Sequence, residues 1–92
     1  MSPASRPQLV SRARLRLDRQ TGGVLLLWPE RGLALSPNAA AVLRLCTGAH
    51  TVAAIVACLA ERYDHAGTDR LSDDVLAFLC ALEDRGLVAD AG

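Results

Sequence analysis

Five side chains in this chain are of types that often carry out chemistry in proteins. They are three cysteines and two histidines: Cys46, Cys58, Cys80, His50 and His65. No two cysteines have a Cys-x-x-Cys spacing, and neither histidine has a Cys, Asp or Glu at metal-ligand spacing within one predicted element. An odd number of cysteines in apolar helical patterns indicates buried free thiols in a reducing compartment. We therefore expect a protein that is not an enzyme and has no metal or cofactor.

A backbone edge is the stronger candidate for a functional surface. Leu33, Ala34 and Leu35 form a short, uncharged strand pattern that follows a turn at 29–32. Unprotected strand edges recruit other strands, and β-augmentation uses this tendency to bind extended peptides. We predict a peptide site at these three residues and at Arg31 in the preceding turn. The alternative is that the edge is covered by the N-terminal arm or by a second subunit in a homodimer.

The last predicted helix offers a second surface beside that edge. Its outward row is apolar in the middle and acidic at both ends: Asp73, Leu76, Ala77, Cys80 and Asp84. As the wall of a groove, this row would contact apolar peptide side chains while its outer carboxylates met basic ones. The alternative is an ordinary helix face exposed to solvent.

The elements that position these surfaces are predicted from apolar periodicity. Alternating and apolar runs between glycine or proline turns predict three strands, at residues 14–18, 24–28 and 33–35. Three amphipathic helices follow, with N-caps predicted at Ser36, Thr51 and Thr68. Gly48 is expected to stop the first helix, and a break is expected at 65–67.

The order of elements defines the fold class. It is α+β, a three-stranded antiparallel meander followed by three helices, which is winged-helix-like. Leu87 and Val88 are expected to fold back onto the core after the last helix. We expect residues 1–10 to be a mobile N-terminal arm and residues 11–92 to form a single peptide-binding domain.

Charge is distributed unevenly, although the formal net charge is zero. Residues 1–32 contain six arginines and two acids, whereas residues 33–92 contain four arginines and eight acids. The alternative function is a winged-helix DNA-binding regulator, but its third helix would be too acidic for a phosphate backbone. One face of the first predicted strand carries Arg12, Arg14 and Arg16. We interpret this face either as a contact for an acidic partner or phosphate, or as an ordinary face exposed to solvent.

The chain carries no sign of export or membrane insertion. Residues 1–7 contain no apolar segment of the signal-peptide kind. No apolar run approaches the roughly 20 residues that cross a bilayer. With free thiols expected as well, we predict a cytoplasmic protein and no membrane or nucleic-acid partner.

The run from Leu26 to Ser36 is an apolar strand, a Pro-Glu-Arg-Gly turn and a short strand that ends in a helix cap. Single residues continue the pattern further along the chain: Ala40, Leu43, Leu45, Cys46, Gly48, Thr51, Val52, Ile55, Leu59, Tyr63, Asp74, Val75, Gly86 and Leu87. This ordered set, over about residues 7–88, resembles the PqqD family. The chain departs from the family at 47–50, where Thr-Gly-Ala-His stands in place of a frequent Asp-Gly-x-Arg.

The resemblance implies a function in pyrroloquinoline quinone (PQQ) biosynthesis. Members of the family bind the ribosomal precursor peptide PqqA and present it to the radical S-adenosylmethionine enzyme PqqE. Related domains are recognition elements for ribosomally synthesised and post-translationally modified peptides (RiPPs). The resemblance also implies that the peptide adds to the edge of the third strand and lies against the third helix.

Overall fold

The strands and helices of this chain follow its apolar periodicity closely. A computed structural model describes residues 1–63 and 68–91. The elements in these residues are β1 (Pro7–Leu9), β2 (Arg14–Leu17), β3 (Val24–Trp28), β4 (Arg31–Leu35), α1 (Pro37–Arg44), α2 (Val52–Tyr63), α3 (Thr68–Asp84) and β5 (Val88–Asp90). The break predicted at 65–67 lies outside the described residues, as do His65 and the side chain of the predicted cap Thr68.

Leu26 is the centre of a three-stranded antiparallel sheet with the order β2-β3-β4. It stands opposite Leu15 of β2 and Leu33 of β4, so the three leucines share the face that meets the helices. Leu26 is 0% exposed, and Leu15 and Leu33 pack against the same core. The predicted meander is confirmed, although β4 begins at Arg31 rather than at Leu33.

The helices bury the rows that their periodicity predicts. The fully or nearly fully buried members are Val42, Leu43, Cys46, Val52, Ile55, Val56, Leu59, Val75, Leu79 and Leu82. Leu87 and Val88 return to this core, with 1% and 2% of their surfaces exposed. The α+β class and the winged-helix-like order are therefore as predicted.

Local hydrogen bonds set the beginnings of α1 and α2. The Oγ of Ser36 accepts a hydrogen bond from the N–H of Ala39 (3.2 Å). The Oγ1 of Thr51 accepts one from the N–H of Ala54 (3.1 Å). Each hydroxyl satisfies a donor that has no partner within its own helix, so both predicted N-caps are confirmed.

The end of α1 differs from the predicted boundary. The helix ends at Arg44, after which the chain tightens into hydrogen bonds between residues three apart. Gly48, the predicted stop, lies beyond the helix with φ +85° and donates its N–H to the carbonyl oxygen of Pro7 (3.1 Å). The corner at 47–50, where the chain departs from the PqqD pattern, therefore meets the N-terminal segment.

The N-terminal segment belongs to the fold, and this corrects the prediction of a mobile arm at 1–10. β1 pairs with β5 in an antiparallel ribbon. The N–H groups of Val52 and Ala53 donate to the carbonyl oxygens of Ser5 (2.9 Å) and Pro3 (3.0 Å). Because the first N–H groups of a helix lack partners within it, the N-terminal segment supplies acceptors that α2 needs.

A second set of contacts joins the same segment to the end of α3. The N–H of Val10 donates to the carbonyl oxygen of Leu87 (2.9 Å), and the Arg12 guanidinium donates to that of Gly86 (3.0 Å). A cation at the C-terminus of a helix also interacts favourably with the helix dipole. Most of these contacts use backbone carbonyl oxygens, which are the same in every residue and cannot be predicted from residue type. The segment was predicted to be a mobile arm because its sequence is polar and contains prolines.

We expect amide hydrogen exchange to find the N-terminal segment protected. The N–H groups of Leu9 and Val10 donate to Cys46 and Leu87, whereas Arg19 lies in an exposed turn. The two bonded amides should exchange at least roughly tenfold more slowly than that of Arg19. NMR measures all three in one sample, and equal rates would mean that the segment is detached in solution.

Candidate functional site

The free edge of β4 is the first component of the candidate site. β3 pairs with one side of β4, and no other residue in the described ranges hydrogen-bonds to the other side. The one charged residue of β4 is Arg31, at its beginning. The opposite edge strand, β2, carries Arg14 and Arg16 within four residues, and such charges protect an edge against further pairing. β4 is therefore the edge that is open to another strand.

The four residues predicted on this strand do lie along its edge. Leu33 and Leu35 are half-buried and pack against the core, whereas Arg31 and Ala34 are exposed. Side chains point above and below a strand, so the backbone groups of β4 remain reachable from the side. The structure brings the four residues together, and their contact with a peptide stays a prediction.

A cavity of about 270 Å³ lies where β4 turns into α1. Its lining comes from the start of α1, from α2 and from α3: Ser36, Asn38, Ala39, Val42, Leu59, Leu71, Asp74, Val75 and Phe78. Ser36 directly follows β4, so the cavity lies next to the C-terminal end of that strand, although no residue of β4 lines it. An apolar hollow with a few polar groups is the usual form of a binding site for a side chain or small ligand.

α3 turns a different row of side chains towards this cavity from the row predicted. The cavity is lined by Leu71, Asp74, Val75 and Phe78. The predicted α3 row is Asp73, Leu76, Ala77, Cys80 and Asp84, and none of these residues lines it. The edge and the predicted α3 row are therefore not brought together at the cavity.

The predicted α3 row lies on the outer face and the other flank of the helix. Its exposed members are Asp73, Ala77 and Asp84. Leu76 is half-buried against the core, and the Cys80 Sγ lies 3.9 Å from the amino nitrogen of Met1. Contact between this row and a peptide stays a prediction, but the cavity favours the other flank.

Helical periodicity explains why the sequence did not distinguish the two flanks. A period of 3.6 identifies Val75 and Leu79 as the core row, and both flanks adjoin that row equally. Which flank faces β4 depends on how α3 crosses the sheet, and periodicity carries no information about that crossing. Phe78, predicted as a core residue, is only half-buried because one side of it lines the cavity.

The chemistry available in the cavity suits binding. Its polar groups are one carboxylate, one amide and one hydroxyl, from Asp74, Asn38 and Ser36. Across residues 1–63 and 68–91, no cluster of three or more potential metal ligands is found. Within the same residues, no helix combines the length and apolar character needed to span a bilayer. His50 is exposed, away from this lining.

The chain is similar in sequence and in fold to proteins of a known family. The family model of Coenzyme PQQ synthesis protein D (PqqD) matches residues 23–88, from β3 to the beginning of β5. The chain belongs to the PqqD family. The PqqA binding protein of Rhodopseudomonas palustris strain TIE-1 is 42% identical over 91 residues, which are 99% of this chain and 88% of that protein.

Two further PqqD relatives define the extent of the domain. The bifunctional coenzyme PQQ synthesis protein C/D of Methylorubrum extorquens is 40% identical over 76 residues, covering 83% of this chain but 20% of that protein. The solution NMR structure of the PqqD truncation of Methylobacterium extorquens PqqCD, a functional and stand-alone RiPP recognition element, superposes with a TM-score of 0.82. It is 35% identical and covers 96% of this chain and 93% of its own. The PqqD resemblance is thus confirmed.

The three cysteines should differ in reactivity. Burial raises the pKa of the Cys46 thiol to about 12 from an ordinary value of 9.0, and its Sγ donates to the carbonyl oxygen of Val42 (3.3 Å). Cys58 and Cys80 are half-buried. At pH 8.5 we expect iodoacetamide to label Cys58 and Cys80 while Cys46 stays a protected thiol, as followed by mass spectrometry. Denaturant should expose Cys46, and rapid labelling of Cys46 in the folded protein would contradict its burial.

Proposed function

We propose that this PqqD-family chain is a peptide chaperone that binds a PqqA-like ribosomal precursor peptide. The observation that carries the proposal is the unpaired edge of β4, at whose C-terminal end Ser36 lines the apolar cavity. The names of its relatives support it, since these are a PqqA binding protein and a RiPP recognition element. PQQ biosynthesis is the process in which such a peptide is used.

The proposed binding mode is β-augmentation. An extended peptide would hydrogen-bond to the backbone of β4, which gives affinity independent of its sequence. Where the peptide passes Ser36, one apolar side chain would enter the cavity between α1 and Phe78, and this contact would give specificity. Asp74 at the same cavity would favour a basic or hydrogen-bond-donating group nearby.

The chemistry on the peptide is assigned to a separate enzyme. We propose that the chain presents the peptide to a radical S-adenosylmethionine enzyme, PqqE-like, and has no catalytic activity of its own. The cavity, open and about 270 Å³ in volume, is suited to hold a side chain rather than to exclude water from a reaction. The three free thiols suit a reducing compartment, and we propose the cytoplasm.

Two other uses of the same fold are less well supported. A homodimer formed by pairing two β4 edges would occupy the site itself, so it would compete with the peptide. A DNA-binding role would need a basic third helix, whereas Asp73, Asp74 and Asp84 are exposed on α3. Neither alternative accounts for the apolar cavity next to the end of β4.

Titration with the precursor peptide should locate the site along β4. We expect the amide signals of residues 31–36 to shift at a ratio of one peptide to one chain, because the peptide pairs with that edge. The amides of β2, at the opposite edge of the same sheet, should shift much less. The measurement is an NMR titration of the ¹⁵N-labelled chain with unlabelled peptide. Unchanged signals at residues 31–36 would contradict the proposal.

Two matched substitutions on α3 should identify its binding flank. Phe78→Ala removes an aromatic wall of the cavity and should weaken peptide binding about tenfold, about 1.4 kcal/mol. Leu76→Ala is the control, because Leu76 is equally half-buried on the same helix but does not line the cavity. It should change the affinity less than about twofold. Calorimetry measures both, and the reverse result would assign binding to the predicted α3 row.

A further inference from the structure

One face of the three-stranded sheet is not used by the core, and it meets the proposed peptide site only along β4. The β2-β3-β4 register places six residues together on the side that points away from the helices: Arg14, Arg16, Leu25, Leu27, Gly32 and Ala34. We call these residues the outer face. Leu25 and Leu27 are partly exposed, and neither is among the residues that pack against the core. Two neighbouring, partly exposed leucines in the middle of a sheet face, with Leu17 61% exposed beside them, indicate an interaction surface.

Two open depressions shape the outer face around Leu27. One, of about 530 Å³, is lined by Arg16, Leu17, Asp18, Arg19, Gln20, Leu25 and Leu27. The other, of about 280 Å³, is lined by Arg12, Arg14, Leu27, Trp28 and Pro29. Leu27 lines both depressions, and each depression also contains arginines. The outer face therefore has an apolar centre with arginines on both sides of it.

The arginines around this centre have no acidic partner in the described part of the chain, where no ion pair engages Arg14, Arg16 or Arg19. Asp18, the one acid that lines either depression, accepts hydrogen bonds from the N–H of Gln20 and the hydroxyl of Thr21, both at 3.0 Å. The outer face therefore presents uncompensated positive charge around leucine, the complement of an acidic surface with an apolar centre.

The outer face continues to the edge where the peptide is proposed to bind. A Cβ on residue 32 would lie 2.8 Å from the Leu27 Cδ2, so the glycine lets Leu27 reach across β4 towards its free edge. A peptide paired with β4 would extend the sheet, and strand alternation would place every second peptide side chain on the outer-face side. A protein seated on the outer face would touch Leu27 and those side chains together.

We propose that the outer face is the docking surface for the peptide-modifying enzyme, which contacts it through an acidic patch with an apolar centre. This inference rests on the proposed function, because it requires a peptide on β4. The enzyme must reach the bound peptide without displacing it, and the peptide already occupies the edge and the cavity. The outer face is the adjoining surface that leaves both free.

A protein suits this surface better than a nucleic acid. Single strands bind to aromatic stacking platforms, whereas the centre here is Leu25 and Leu27. Trp28, the aromatic residue that lines the second depression, packs against the core. Carboxylates on a folded protein can pair with Arg14 and Arg16 while its apolar groups cover the leucines.

Charge reversal on the outer face tests the inference. The double variant R14E/R16E should weaken binding of the modifying enzyme to the peptide-loaded chain at least about tenfold. Its affinity for the precursor peptide alone should stay within about twofold, which also shows that it folds. R6E/R44E is the control, because it makes the same change of charge at exposed residues away from the outer face. Leu27→Ser, as an uncharged second variant, should weaken the enzyme complex alone.

The outcomes separate this inference from the proposed function. Failure of the wild-type chain to bind peptide overturns the proposed function. Normal peptide binding together with equal enzyme affinity for wild type, R14E/R16E and Leu27→Ser overturns the inference alone. A salt-sensitive complex with a short DNA duplex, lost in R14E/R16E while enzyme binding is unchanged, would assign the arginines to nucleic acid. Loss of a dimer in sedimentation, again with enzyme binding unchanged, would assign them to self-association.

Discussion

The backbone hydrogen bonds of the three-stranded sheet are the constraint on which the rest of this protein depends. An open sheet of three strands has two edges, and each edge leaves peptide groups that must pair with water, with protein or with a ligand. Here the charges of Arg14 and Arg16 disfavour pairing of another strand with β2, whereas β4 has no charged residue after Arg31. The three-stranded sheet therefore has one edge that favours pairing with another chain, and Ser36, which directly follows that strand, lines the cavity.

The N-terminal segment explains how so small a chain keeps that edge open. Residues 3–5 provide acceptors for the first turn of α2, and β1 pairs with β5 instead of adding to the main sheet. A segment of this length could have paired with β4 and blocked it. Its docking on the far side, together with the Arg12 contact at the end of α3, holds the helices that form the cavity.

The separation of charge has a physical role in this arrangement. Six of the ten arginines lie in residues 1–32, whereas eight of the ten acids lie in residues 33–92. The cavity contains Asp74 and the outer face is rimmed by Arg14 and Arg16. Peptide and enzyme would then be attracted to different places, since like charges on the wrong surface reduce affinity.

Several parts of the protein follow from local periodicity and residue chemistry. The alternation at 14–18, the apolar run at 24–28, the N-caps at Ser36 and Thr51, and the uncharged run 33–35 were sufficient to predict the meander, two helix starts and the open strand. The order of the motif residues over nearly the whole chain was sufficient to identify the family. These features are encoded by neighbouring residues, so no knowledge of the packing was needed.

Which surfaces face one another depends on packing between residues that are distant in the sequence. The flank of α3 that carries Phe78, rather than the one that carries Leu76, lines the cavity because of how the helix crosses the sheet. Residues 1–10 are held in place through backbone carbonyl oxygens, which every residue possesses. The residue types of this segment therefore gave no indication of its contacts. Both features depend on contacts between residues that are far apart in the sequence. The periodicity of a helix or strand contains no information about such contacts.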